Sequence, residues 1–64
     1  MKAIYKIENI VTNDFYIGSA VDYTYRKWVH LKRLRENRHH NAILQNSWNK
    51  HGESAFSFSI IEEV

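Results

Sequence analysis

From Lys2 to Val11 apolar and polar side chains alternate, with Ala3, Tyr5 and Ile7 on one side and Ile4, Lys6 and Glu8 on the other. A period of two predicts a β-strand over 2–11. Thr12, Asn13 and Asp14 follow. Short polar side chains of this kind bond their own main chain and tolerate left-handed backbone, so a turn is expected there. Phe15, Tyr16 and Ile17 read as a second strand that Gly18 ends, and the two strands form a hairpin.

Asp22 is expected to cap the N-terminus of a helix that runs to about Glu36. Tyr25, Trp28, Val29 and the stretch from Leu31 to Leu34 give that helix an apolar side. Arg26, His30, Arg33 and Asn37 recur at i, i+4, i+7 and i+11 and line a polar stripe. Residues 37–41 are a polar connection. Ala42 to His51 reads as a second helix, with Leu44 and Trp48 one turn apart and Gly52 just past its end. Alternation returns from Ala55 to Ile61, with Phe56, Phe58 and Ile60 on one side and Ser57 and Ser59 on the other, which predicts a third strand with one buried face. The expected class is α+β, in the order β-β-α-α-β. A three-stranded antiparallel sheet should carry the helices on its apolar face.

Composition narrows the picture. At 64 residues the chain makes one domain at most. It has no cysteine, which excludes a disulfide framework and a thiolate zinc site. Hydrophobic residues at 44% and aromatics at 14% are too many for a disordered chain. The longest uncharged run is too short to span a bilayer, and the first residues lack the order of a signal peptide. The expectation is a soluble, cytoplasmic domain with no membrane partner.

The net charge of +2 hides a segregation. Residues 25–51 carry seven cations against Glu36 alone, a net +6, whereas residues 1–24 carry −1 and residues 52–64 carry −3. His30, His39, His40 and His51 also fall in the basic middle. A basic centre between acidic flanks creates a local positive field suited to nucleic acid, although a solvated helix face gives the same count.

The candidate chemistry lies in Tyr5, Tyr16, Arg26 and His30. The tyrosines sit mid-strand across the hairpin, and Arg26 and His30 point the same way one turn apart. Such a set suits phosphodiester chemistry. Arginine stabilises charge growing on phosphoryl oxygens, and a phenol or imidazole moves the proton of an attacking water. A phenol with a pKa near ~10 needs a cation or metal beside it to act as a base at neutral pH. Read singly, the tyrosines are equally ordinary cross-strand aromatics, and Arg26 and His30 ordinary surface residues. The adjacent His39 and His40 could hold a metal but suit a solvated loop as well, and no Cys/His zinc spacing, glycine-rich phosphate loop or paired catalytic carboxylate is present.

Ala3-Ile4-Tyr5 and, eleven residues on, Tyr16-Ile17-Gly18 resemble the two signature tripeptides of the GIY-YIG endonucleases. The likeness continues through Ser19-Ala20, Arg26-Lys27-Trp28 with His30, the His39-His40-Asn41 loop, Leu44 to Gly52 and Phe56 to Val64, in order along essentially the whole chain. It is greatest to the catalytic domain of phage-encoded homing endonucleases. This resemblance implies a three-stranded antiparallel sheet flanked by helices, and hydrolysis of DNA phosphodiesters with one divalent metal, magnesium or manganese. It implies catalytic roles for Tyr5, Tyr16, Arg26, His30 and His39. Gly18 is implied to be a structural glycine that lets the backbone turn near the substrate. Lys27, Arg33, Arg35 and Arg38 fall in the basic stretch expected to hold DNA phosphates.

Two departures qualify it. Ala3 stands where the family has glycine, which a strand tolerates. The family's metal-ligating glutamate lies on a helix after the third strand, and residues 1–64 are expected to lack that helix; Glu53, Glu62 and Glu63 do not match its position. The sequence therefore leaves three readings: a nuclease completed by another chain, a second copy or a downstream segment; a module that binds DNA or a nuclease without cutting; and a folded remnant.

Overall fold

The computed structural model describes residues 2–63. Alternation along the first strand, β1 (Ala3–Asn9), decides the architecture. Ala3, Tyr5, Ile7 and Asn9 are buried and the residues between them are half-buried, so this strand has one face on the core. It is the middle strand of an antiparallel sheet ordered β2-β1-β3, flanked by β2 (Phe15–Ala20) and β3 (Phe56–Glu63). The register carries the core face outward on both sides. Ile7 lies opposite Tyr16 and Phe58, and Tyr5 lies opposite Gly18 and Ile60. The pairing of β1 with β3 shifts between Ile4 and Tyr5, a bulge near the end of the sheet.

Helices α1 (Tyr23–Arg35) and α2 (Ala42–His51) cover this face, and a short 3-10 turn over Glu53–Ala55 leads into β3. Asp22 caps α1 by accepting from the Tyr25 N–H at 3.1 Å, and Asn41 caps α2 by accepting from the Leu44 N–H at 3.0 Å. Gly52 closes α2 with φ +85°, a conformation that favours glycine. The core gathers Tyr5, Ile7, Ala20, Leu34, Leu44 and Trp48, with the Phe56 ring tilted against Trp48 at 5.3 Å between ring centroids. The α+β class, the antiparallel sheet and the β-β-α-α-β order all agree with the sequence reading.

Four local expectations need correction. The third strand runs Phe56–Glu63, not Ala55 to Ile61, and Ile60 on its expected buried face is 40% exposed. The first strand ends at Asn9, not Val11. The buried Asn9 side chain accepts from the Val11 and Thr12 N–H groups at 2.9 and 3.2 Å and donates to the Ser47 hydroxyl at 3.0 Å, turning the chain and tying the hairpin to α2. Gly18 does not end the second strand, which runs on to Ala20. The inward face of α1 is not the one with most apolar residues. Tyr25 and Trp28 are 62% and 56% exposed, while Tyr23, Lys27, His30 and Leu34, spaced at i, i+4, i+7 and i+11, turn toward the sheet. A histidine with partners for both ring nitrogens packs inside, and the helix rotates to place it there.

Candidate active site

Tyr5 brings the sheet into the site. Its ring lies across Gly18 on the neighbouring strand, so closely that a Cβ there would sit 2.5 Å from the phenol oxygen. Gly18 is thus small for the sake of Tyr5. The Tyr5 side chain is 2% exposed, and its oxygen meets His30 Nε2 at 2.6 Å. His30 Nδ1 meets His39 Nε2 at 2.7 Å, and His39 Nδ1 accepts the Asn41 backbone N–H at 3.0 Å.

That terminal amide fixes every proton in the chain. A backbone N–H can only donate, so His39 Nδ1 carries a lone pair. Both imidazoles are neutral at neutral pH. Burial pulls His30 down to about 4, helped by His39, His40, Arg26 and Arg33. Burial and then His40 pull His39 down too. A neutral His39 must therefore hold its proton on Nε2 and donate it to His30 Nδ1, and His30 must in turn donate from Nε2 to the Tyr5 oxygen. Tyr5 receives a hydrogen bond and keeps its own O–H to give. Burial pushes the Tyr5 phenol up, as does Tyr16, and the Arg26 guanidinium pulls it back.

Tyr16 is half-buried on the same face, its ring edge-on to His30 at 5.7 Å and to His39 at 6.4 Å between centroids. Arg26 is exposed, close enough to influence both Tyr5 and His30. Four of the five candidates therefore converge, Tyr16 nearer solvent with Tyr5, His30 and His39 behind it, and the exposed Arg26 is near enough for its charge to reach Tyr5 and His30. His40 is exposed and stacks on His39 at 4.4 Å. The outer cations divide. Arg33 and Arg38 are exposed, Lys27 reaches over the Phe58 ring at 5.5 Å, and Arg35 grips Glu53 through two bonds of 2.8 and 2.7 Å.

The sequence reading gives no role to one residue that holds the site. Gln45 is 6% exposed; its Oε1 accepts the His39 N–H at 3.0 Å, and its Nε2 donates to the Leu34 carbonyl and to Asn49 Oδ1, both at 3.0 Å. It clamps the His39 loop between the end of α1 and α2. The signal was a polar residue beside Leu44 on the face of α2 that carries Trp48.

A divalent metal does not fit the residues present. Magnesium and manganese take oxygen ligands with at least one carboxylate. The cluster offers phenols and neutral imidazoles. Among the described residues no group of three or more His, Asp or Glu side chains could hold a metal ion.

No family model matches the chain. It is 44% identical over 61 residues to intron-associated endonuclease 1 of Enterobacteria phage T4, a match over 95% of this chain and 24% of that protein. It is 42% identical over 59 residues to a probable intron-encoded endonuclease 1 of Neurospora crassa, over 92% of this chain and 18% of that one. The chain thus spans about a quarter or less of the length of these curated relatives. The solved catalytic domain of homing endonuclease I-TevI superposes with a TM-score of 0.95 and 41% identity, over 100% of this chain and 68% of that one. A mutant of the same domain gives a TM-score of 0.90 and 45% identity over 66% of its length. With the fold, the paired tripeptides and the identity all in agreement across two thirds of a solved catalytic domain, this chain belongs to the GIY-YIG family of homing endonucleases.

Proposed function

We propose that this chain is a DNA endonuclease domain that hydrolyses phosphodiester bonds and is completed by a segment outside residues 2–63. The observation that carries the reading is the ordered chain from the Asn41 amide through His39 and His30 to Tyr5, set behind an accessible tyrosine and arginine. Water attacks phosphorus, the bond to the leaving oxygen breaks, and one proton leaves the water while another reaches the leaving group. Arg26, exposed beside the cluster, stabilises the charge that grows on the phosphoryl oxygens. Tyr16, half-exposed, touches the substrate and carries a proton. Tyr5, His30 and His39 lie behind it as a buried chain whose proton positions are set in advance, the two imidazoles edge-on to the Tyr16 ring.

Lys27, Arg33 and Arg38 hold flanking phosphates without reading sequence, with Arg33 and Arg38 the freest to do so, while Arg35 is engaged by Glu53. The carboxylate that a magnesium or manganese ion would need would come from the completing segment, whether of another chain, a second copy or a continuation. A second reading, DNA binding without cleavage, is favoured because no group of three or more His, Asp and Glu side chains among the described residues could hold a metal ion.

The test is cleavage of plasmid DNA with magnesium. The chain alone cuts poorly, and fusion to a carboxylate-bearing helix restores cutting. In the restored enzyme Arg26→Ala lowers the rate by roughly 100- to 1000-fold. Full activity in that variant would sink the nuclease reading, and tight DNA binding with no cleavage even after fusion would favour the second.

A further inference from the structure

The outer face of α1 carries a surface that the cluster does not use. A shallow groove of about 440 Å³ is lined there by Tyr25, Trp28, Lys32, Arg33 and Arg38. Two large aromatic side chains stand in water, Tyr25 at 62% and Trp28 at 56% exposure. Their rings lie 6.1 Å apart and are tilted by 31°, so two neighbouring aromatic rings stand together at the surface. The Lys32 ammonium sits over the Trp28 ring at 5.5 Å, steadying it. Three cations face one carboxylate, Glu36, which gives the groove a net positive charge.

Each half of this composition selects the same ligand. Exposed cations attract a polyanion. Paired aromatic faces suit flat rings that are free to stack, and a nucleobase shows its face only when it is out of the duplex. An apolar protein partner would use the rings and bury the charges without partners. The groove is also continuous with the cluster. Arg33 lines it while its charge helps keep His30 and His39 neutral, and Tyr25 adjoins Arg26 in the same helical turn.

We propose that Tyr25 and Trp28 form a stacking platform, with Lys32, Arg33 and Arg38 as its phosphate clamps, for an unpaired stretch of the nucleic-acid strand next to the scissile phosphate. The placement beside a scissile phosphate rests on the nuclease reading; the recognition of unpaired bases does not.

The full chain without metal tests this. It has two tryptophans, of which Trp48 is 7% exposed, so a ligand that stacks on the protein surface quenches Trp28. Probes are a short oligothymidylate, a blunt duplex, and the same duplex with an oligothymidylate overhang. The single strand and the overhang quench the emission and the blunt duplex does not. By anisotropy of a labelled probe, Trp28→Ala weakens overhang binding about 5- to 100-fold, with a smaller loss for the blunt duplex. Trp28→Phe restores most of the affinity, which separates stacking from misfolding.

Equal quenching by the blunt duplex would overturn the proposal. So would overhang affinity that survives Trp28→Ala, or self-association of the chain that Trp28→Ala abolishes, since that assigns the face to a second copy. Failure of the two readings is distinguishable. Quenching by the overhang in a protein that never cuts even after fusion to a carboxylate-bearing helix removes the nuclease reading and supports the platform. Cleavage with Trp28 unquenched removes the platform alone.

Discussion

His30 is 3% exposed, with both ring nitrogens committed to Tyr5 and His39, and that makes acid a direct threat to the site. The groups that face it are Tyr5 from β1, Tyr16 from β2, His39 and His40 from the loop, and Arg26 and Arg33 on its own helix. None favours a positive imidazolium. Its ordinary pKa of 6.5 falls to about 4 on folding, so the unfolded chain binds the proton first. Stability from this residue is complete above pH 6.5 and drains away as pH falls toward about 4. The loss is of order ~3 kcal/mol from the size of the shift. Denaturant unfolding across that interval should show the decline, and His30→Gln should flatten most of it, leaving a smaller slope from His39. An unchanged slope in His30→Gln would assign the acid sensitivity elsewhere. At this scale the sequence singled out side chains that the structure gathers, because Tyr5, Tyr16 and His30 stand at motif spacing and their rings meet. It did not show that His30 is interior, since periodicity treats a histidine as polar whatever its ring nitrogens bond.

Elements explain what single residues do not. Gly18 read as the end of a strand because glycine usually interrupts one. It lies inside β2, opposite Tyr5, because the aromatic ring needs the space a side chain would fill. A methyl group there would meet the Tyr5 ring carbon Cζ at 2.6 Å. The ring cannot yield freely, since it also packs against Tyr23 at 5.5 Å and His30 at 5.6 Å between centroids. Gly18→Ala should therefore cost about 1–3 kcal/mol in unfolding experiments. It should also pull the phenol from His30, which the imidazole NMR signals of His30 will report. A stable variant with unchanged His30 signals would show that β2 shifts instead. Element order, the capping of α1 by Asp22 and the extent of α2 were legible because each has a local signature. The rotation of α1 was not, because it carries two partly apolar stripes, and contact with the sheet chooses between them.

For the whole molecule the question is where its charge is free to act. The net +6 of residues 25–51 was visible by counting. Which of those cations are already engaged was not, because the partner of Arg35 is Glu53, eighteen positions away in the acidic flank. That exposed pair adds little to stability, but it sets a guanidinium against a carboxylate that DNA would otherwise meet with repulsion. Arg33 and Arg38 have no such partner among the described residues. Each phosphate contact makes log K fall against log salt by about 0.9. Arg33→Ala and Arg38→Ala should each flatten the salt dependence of duplex binding by about that amount. Arg35→Ala should lower affinity by leaving Glu53 bare, yet keep the slope. Glu53→Gln, which frees the guanidinium, should steepen it. If Arg35→Ala flattens the slope as much as Arg33→Ala, the ion pair opens on DNA and the acidic flank acts as a latch that the phosphates displace.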